Sequence, residues 1–449
     1  MKSHFLESLR LSIPLIIAQL AQFGLGLTDT VMVGWYGTTE LAALTLGHAC
    51  IFFIYITLSG FALGVLAKVS QAYGNKDIIS IRFNLRMGIW LVFGFSLLGL
   101  IIASNIKTIL IYLNQEPRLI NVINDYVSII RWMLPFILLT FVFKAFLISI
   151  KKEKTVLTIS IFGLAVNIIL NYILIFGKFG APELGIKGAA FASLGTSIFM
   201  LSTAIIYSLL TEVKNIKIFD QFFTFEKETF SGLYKIGWPI CLTIMAESGM
   251  FSAASVLMGW VGEIQLAAHG IVLTIFALFF MIPLGISQAG TVRVAKTIGE
   301  KKFNEVGQVA LSIYSLGIGW SILGTIIILI FGNDIIGIFL DPKNTNSDLV
   351  FSYAVSYLLI CCLFHIADTG QILFAAILRG FSDTKVPFLL SLFSYWIIGV
   401  PAAYYFSQHT YLYGFGVYLG IGTGLLVASL LLFFRYLSIK KITMGESII

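Results

Sequence analysis

Residues 11–47 read LSIPLIIAQLAQFGLGLTDTVMVGWYGTTELAALTLG, and residues 236–272 read IGWPICLTIMAESGMFSAASVLMGWVGEIQLAAHGIV. A shift of 225 residues (236 − 11) superposes the two without a gap, and the match extends over 11–76 on 236–301. Trp35 falls on Trp260 and Leu41-Ala42-Ala43 on Leu266-Ala267-Ala268. Pro14, Gly34, Gly37, Gly60, Gly74 and Lys76 fall on Pro239, Gly259, Gly262, Gly285, Gly299 and Lys301. The chain is therefore built twice from one pattern, and each copy opens with an apolar run longer than the roughly 20 residues that cross a bilayer.

Working outward, apolar runs of that length recur about twelve times, near 11–36, 45–67, 87–109, 124–149, 157–177, 186–210, 233–259, 270–292, 308–332, 350–378, 387–407 and 413–436. The composition agrees: of 449 residues 58% are hydrophobic and only 11% charged, with a mean hydropathy of +0.95, far from soluble usage. The expected fold is an all-α polytopic membrane protein of twelve transmembrane helices in two pseudo-symmetric six-helix lobes. Because the repeat carries span 1 onto span 7, an even number of crossings, both lobes keep one orientation about an axis along the membrane normal. The domains are expected at 1–215 and 233–449, joined by a charged linker at 216–232. The first span runs too long for a signal peptide and lacks a small-residue cleavage site, so it is read as a retained helix.

A net charge of +7 invites a nucleic-acid reading, but the basic residues follow membrane topology. With the N-terminus inside, only Lys107, Arg118, Arg131, Lys178, Lys187 and Lys343 of the 29 Lys and Arg lie in or near outer loops. The rest, Lys144 and Arg379 among them, are assigned to the inner side, as the positive-inside rule requires. A multi-pass inner-membrane protein with both termini cytoplasmic follows. Its partners would be lipid and small solutes, with no nucleic acid, and it would act as a monomer. Cys50, Cys241, Cys361 and Cys362 all fall in apolar runs without metal spacing and read as packing residues.

Of the 22 acidic residues all but Asp29, Glu247 and Asp368 fall in loops or at helix ends. An acid at mid-helix costs about 2.5–3.5 kcal/mol even on insertion scales, so such groups usually line a pathway. No Lys or Arg is read at these depths, which points to a proton or small cation as the neutralising partner. Glu247 corresponds to Gln22 across the repeat and Asp29 to Ala254, so the acids break the symmetry: one lies in the first lobe and two in the second. Two carboxylates with hydroxyls and carbonyls suit sodium, a hard cation, or a shared proton. Asn167 and Asn171 share a face of span 5, as Asp368 and Gln371 do in span 10; each pair either lines a polar cavity or makes an interhelical bond. Phe251, one turn beyond Glu247, offers a cation–π face or plain packing. His48, His269 and His365 lack zinc spacing, and no nucleotide loop, serine elbow or zinc-protease motif is present. No enzyme and no cofactor is expected.

Four segments carry a family resemblance: TDTVMVGWYGTTELAALTLG at 28–47, NIILNYILIFGKFGAPELGIKGAAFAS at 167–193, ESGMFSAASVLMGWVGEIQLAAHGI at 247–271 and ILRGFSDTKVP at 377–387. The chain resembles, over nearly its whole length, the multidrug and toxic compound extrusion (MATE) transporters of the NorM-like branch. The resemblance implies twelve helices in two lobes set as a V, and export of cationic amphipathic drugs or dyes in exchange for sodium or protons. It implies Glu247 and Asp368 as the cation site, a sodium site by that pattern. It implies Asp29 with Asn167 and Asn171 as the first lobe's polar cavity for substrate or proton. Three rival readings stand beside it. A major-facilitator carrier would need a basic signature between spans 2 and 3, where this chain has SQAYGNKDIISIRF. A lipid-linked or polar-metabolite flippase of the same wider superfamily would carry cationic cavity residues, and a membrane enzyme or scaffold would need a catalytic loop.

Overall fold

The computed structural model describes residues 2–112, 117–340 and 347–446, so Lys343 lies outside the described residues. Because lipid offers no partner for a backbone N–H or C=O, each apolar run closes its hydrogen bonds within a helix. The spans are Lys2–Tyr36, Thr38–Gly74, Ile78–Ser104, Pro117–Ser149, Glu153–Phe176 and Ile186–Leu210, then Lys227–Val261, Glu263–Gly299, Phe303–Gly337, Ser347–Gly380, Lys385–Gln408 and Gly414–Glu446. These are spans 1 to 12. Eleven are continuous by length and hydropathy, and the fourth is the pair Pro117–Ile130 and Met133–Ser149, bent by 47°. Pro135, just past the bend, cannot donate to the carbonyl four residues back, which removes a bond where the axis turns. Several helices outrun their apolar stretches, because the backbone ladder continues past the hydrocarbon into polar sequence.

The repeat is visible in the turns. Two residues past the end of span 2 stands Lys76 at φ 60°, and two past the end of span 8 stands Lys301 at φ 58°. In both, the next residue donates back to the carbonyl five residues earlier: Asp77 to Ala72 at 3.0 Å and Lys302 to Thr297 at 3.1 Å. Spans 4 and 10 repeat the device with Lys151 at φ 64° and Ser382 at φ 62°, where Lys152 donates to Leu147 and Asp383 to Leu378. A left-handed residue without glycine costs free energy, and here the closed helix-end bonds offset it. Asp77 then caps span 3, accepting from the Ser80 N–H at 3.0 Å and its hydroxyl at 2.6 Å, and these bonds hold its carboxyl below the usual aspartate range.

The chain forms two compact units, one of residues 17–241 and one of residues 1–16 with 242–449. These boundaries differ from the expected 1–215, 216–232 and 233–449, and the packing explains why. The start of each lobe's first helix packs in the other unit. Within the first unit, a Cβ on Gly60 would lie 2.6 Å from the Cys241 backbone nitrogen; within the second, a Cβ on Gly285 would lie 2.7 Å from Ile16 N and Cα. Gly60 and Gly285 are repeat partners, and so are Cys241 and Ile16, which makes this one contact used twice. Polar bonds hold the start of span 1 in the second unit: Arg293 donates to Glu7 at 2.9 Å and also bonds Ser8, which pairs with Ser312 at 2.7 Å. The expected linker is likewise part of the first unit. Arg82 and Arg86 donate to the carbonyls of Ile216 and Gln221, each at 2.9 Å. Glu226 caps span 7 by accepting from the Thr229 N–H at 2.6 Å.

A side chain at either paired glycine has no room, because backbone rather than a flexible side-chain end stands in the way. Gly60→Val and Gly285→Val are each expected to destabilise the protein by about 1–3 kcal/mol through overpacking. Thermal melting of the detergent-solubilised protein checks this: both variants should melt earlier, and unchanged melting in either would show that the helices do not meet there.

Candidate functional site

Asp29 lies in the C-terminal third of span 1, two turns before its end at Tyr36, with only 3% of its surface exposed. Three side chains of the first unit converge on it. Asn171 donates to Oδ1 at 2.6 Å, Asn167 to the same oxygen at 3.2 Å, and Ser193 donates its hydroxyl to Oδ2 at 2.5 Å. Helical spacing explains the first pair: residues four apart on span 5 present both amides on one face, and Asn171 also donates to Asn167 Oδ1 at 3.2 Å. Ser193, on span 6, supplies the third bond and was not singled out in the sequence, where one serine among many small residues carries no signal. The Asn171 Oδ1 and Tyr126 hydroxyl atoms are buried here without a hydrogen-bond partner. The cluster thus holds an acid already bonded by three donors, with two further oxygens unused.

In the second unit Gln371 links the two acids: it stands one helical turn from Asp368 on span 10 and bonds Glu247 of span 7. Glu247 is half-buried on span 7 and accepts from Gln371 Nε2 at 2.7 Å. Gln371 in turn accepts from the Tyr395 hydroxyl at 2.7 Å. Asp368 is 1% exposed, and its Oδ1 atom has no hydrogen-bond partner. Sequence reasoning missed Tyr395, and the reason is local. Span 11 widens to a π-type turn at Phe393–Gly399, which changes the angular spacing that a helical wheel assumes. Such widenings are frequent at functional sites. Here this one turns Tyr395 onto Gln371 and lets the adjacent Trp396 donate to the Ala246 carbonyl at 3.0 Å.

The absence of basic groups at these depths, read from the sequence, is corrected by two residues. Lys144 is only 8% exposed on span 4, and its Nζ donates to Gln22 Oε1 at 3.0 Å. Arg379, on the last turn of span 10 and also buried, is close enough for its charge to act on Glu247. Both stand near span ends by sequence position, yet long side chains reach back along a helix.

The remaining sequence candidates fall outside these clusters. Phe251 packs at the edge of the second unit's apolar core and lines a small cavity with His269, Phe276, Phe364 and Tyr418. His269 is held by Ser255 at 3.1 Å and Tyr418 at 2.7 Å. The four cysteines are unpaired, and among the described residues no three His, Cys, Asp or Glu side chains group as a metal site. For a hard cation such as sodium the relevant donors are oxygens, and the unpartnered Asp368 Oδ1 beside Glu247 fits that chemistry.

A family model described as MatE matches residues 14–173 and 239–405, one match in each half of the repeat. The probable multidrug resistance protein NorM of Rhizobium meliloti is 37% identical over 440 residues, covering 98% of this chain and 94% of that protein. The corresponding Agrobacterium fabrum protein is also 37% identical, covering 98% and 95%. Among solved structures, a MATE protein in its straight conformation matches with a TM-score of 0.89 at 19% identity, over 98% of this chain and 97% of that one. An outward-facing multidrug resistance MATE family transporter matches with 0.88 at 19%, over 98% and 96%. At that identity the structures speak for the fold, while the family model and the full-length relatives speak for descent. This chain is a multi-pass membrane transport protein that belongs to the MatE family, the multidrug and toxic compound extrusion transporters, and is NorM-like.

Proposed function

We propose that this protein exports cationic amphipathic compounds by antiport, in exchange for sodium or protons taken up at Glu247 and Asp368. The single observation that carries the reading is the Asp368 Oδ1 atom, buried without a hydrogen-bond partner next to a second carboxylate. Two acids with one nearby guanidinium leave an excess of negative charge inside a helix bundle, and burying an unpaired charge is expensive. A proton or a sodium ion relieves that cost. Asp29, with Asn167 and Asn171, serves substrate or proton; its bonds from three neutral donors orient the carboxylate without cancelling its charge. An inward cation and an outward cationic cargo that compete for negative charge favour each other's release, which is the coupling antiport needs.

The relatives named multidrug resistance proteins support a drug or dye cargo. The distribution of basic residues supports an inner-membrane location with both termini cytoplasmic. One chain carries both halves of the repeat, which supports action as a monomer in lipid. A flippase of lipid-linked or polar-metabolite cargo is the second reading. It draws on Lys144, a buried cation that an anionic group could address, but the ammonium is already bonded to the Gln22 amide.

In everted membrane vesicles loaded with a fluorescent cationic dye, an imposed sodium or pH gradient is expected to drive dye movement. Glu247→Gln and Asp368→Asn should each reduce it to background with normal protein levels in the membrane. Response to neither gradient, or full activity in both variants, would overturn the antiport reading. Tyr395→Phe removes one neutral hydrogen bond, worth about 0.5–1.5 kcal/mol, from the residue that orients Glu247. The ion concentration for half-maximal exchange should then rise about two- to tenfold with little change in maximal rate, read from the ion dependence of the same assay.

A further inference from the structure

Lys144 is a buried ammonium whose hydrogen bond goes to a neutral amide, and the proposed mechanism gives it no task. Its position follows from the repeat. Gln22, the acceptor, is the counterpart of Glu247 at the shift of 225 residues. The left-handed turn residues Lys151 and Ser382 set the register of spans 4 and 10, a shift of 231 (382 − 151). In that register Ile137 stands opposite Asp368, Thr140 opposite Gln371, and Lys144 opposite Ala375. The first unit therefore has neither acid of the second: Gln22 replaces Glu247, and Ile137 replaces Asp368. Thr140 cannot do what Gln371 does, because its hydroxyl donates to the Phe136 carbonyl of its own helix at 2.7 Å. The oxygen of Gln22 is reached instead by Lys144, from one helical turn further along, where the second unit has only the methyl group of Ala375.

We infer that Lys144 is a tethered cation that takes, on Gln22 in the first unit, the position the exchangeable cation takes on Glu247 in the second, and so restricts the coupling ion to one half of the repeat. The inference rests on the reading of Glu247 and Asp368 as the ion site. An ammonium donates and cannot accept, so a bound Lys144 covers the Gln22 oxygen and its positive charge repels any mobile cation from the same place. The tether keeps the Lys144 nitrogen in place on Gln22, whereas an ion held by Glu247 and Asp368 can leave. Two copies of one six-helix pattern thereby become one fixed and one exchangeable half, and Lys144 is a specificity-determining residue for where the ion binds.

The full-length protein in detergent tests this by equilibrium binding of radiolabelled sodium, with protons taken up or released counted in parallel. Gln22→Glu alone should bind the same number of ions as wild type, because Lys144 neutralises the new carboxylate. Gln22→Glu with Lys144→Gln should bind one more ion per chain. The reciprocal change, Ala375→Lys, installs the tether beside Glu247 and should abolish ion binding there with every acid still present. An ion gained by Gln22→Glu alone overturns the inference, as does a double variant that melts like wild type and gains none, or an Ala375→Lys protein that melts like wild type and binds as before. The underlying reading fails separately: wild type and Glu247→Gln would then bind equally, while the comparison of Gln22→Glu with and without Lys144 would still decide the lysine's role.

Discussion

Inside hydrocarbon no water stands ready to complete a hydrogen bond, and every feature of this molecule answers to that constraint. The backbone meets it by closing into helices. The side chains meet it across helices: Ser8 with Ser312, Ser70 with Ser149 at 3.0 Å, and His269 with both Ser255 and Tyr418. Asp29 meets it with three donors from spans 5 and 6. Against this background an unsatisfied buried atom is informative, because most buried polar groups find a partner. Asp368 Oδ1 is such an atom, and it belongs to a charged group, for which the cost of isolation is greatest.

The repeat shows which parts of the pattern are mechanical and which are chemical. Contacts between backbones have been kept in both halves. Gly60 meets Cys241 as Gly285 meets Ile16, and the turns at Lys76 and Lys301 close with the same bonds. Shape at those places admits no substitute, since a Cβ would displace a helix. Charged and amide positions have diverged freely between the halves. Gln22 faces Glu247 across the repeat, Ile137 faces Asp368, and Asp29 faces Ala254. The common helices therefore carry two different polar interiors.

The span count, the repeat and the three isolated acids were legible because hydropathy and periodicity along one helix decide them. The pairing of Asn167 with Asn171 was legible for the same reason, as both lie on one face. What the sequence hid were relations between helices. Ser193 bonds Asp29 from another span, and Tyr395 reaches Gln371 only because the backbone widens to a π-type turn around it. Lys144 and Arg379 sit near span ends by number but act deeper, since four-carbon and guanidinium side chains extend back along the helix. The unit boundaries at 16 and 241 were hidden too. They fall inside continuous apolar helices, where neither composition nor charge changes and only the packing partner does.

Charge bookkeeping around the two clusters gives the asymmetry a physical consequence. Counted as ionised, Glu247, Asp368 and Arg379 sum to minus one in the second unit, whereas in the first Asp29 is bonded by three neutral donors and Lys144 by one neutral acceptor. Burial makes an uncompensated charge costly, and in the second unit the two acids outnumber the one guanidinium. In the proposed antiport, a cation between Glu247 and Asp368 brings that sum to zero. The same six-helix pattern, changed at a few polar positions, thus carries two different polar interiors.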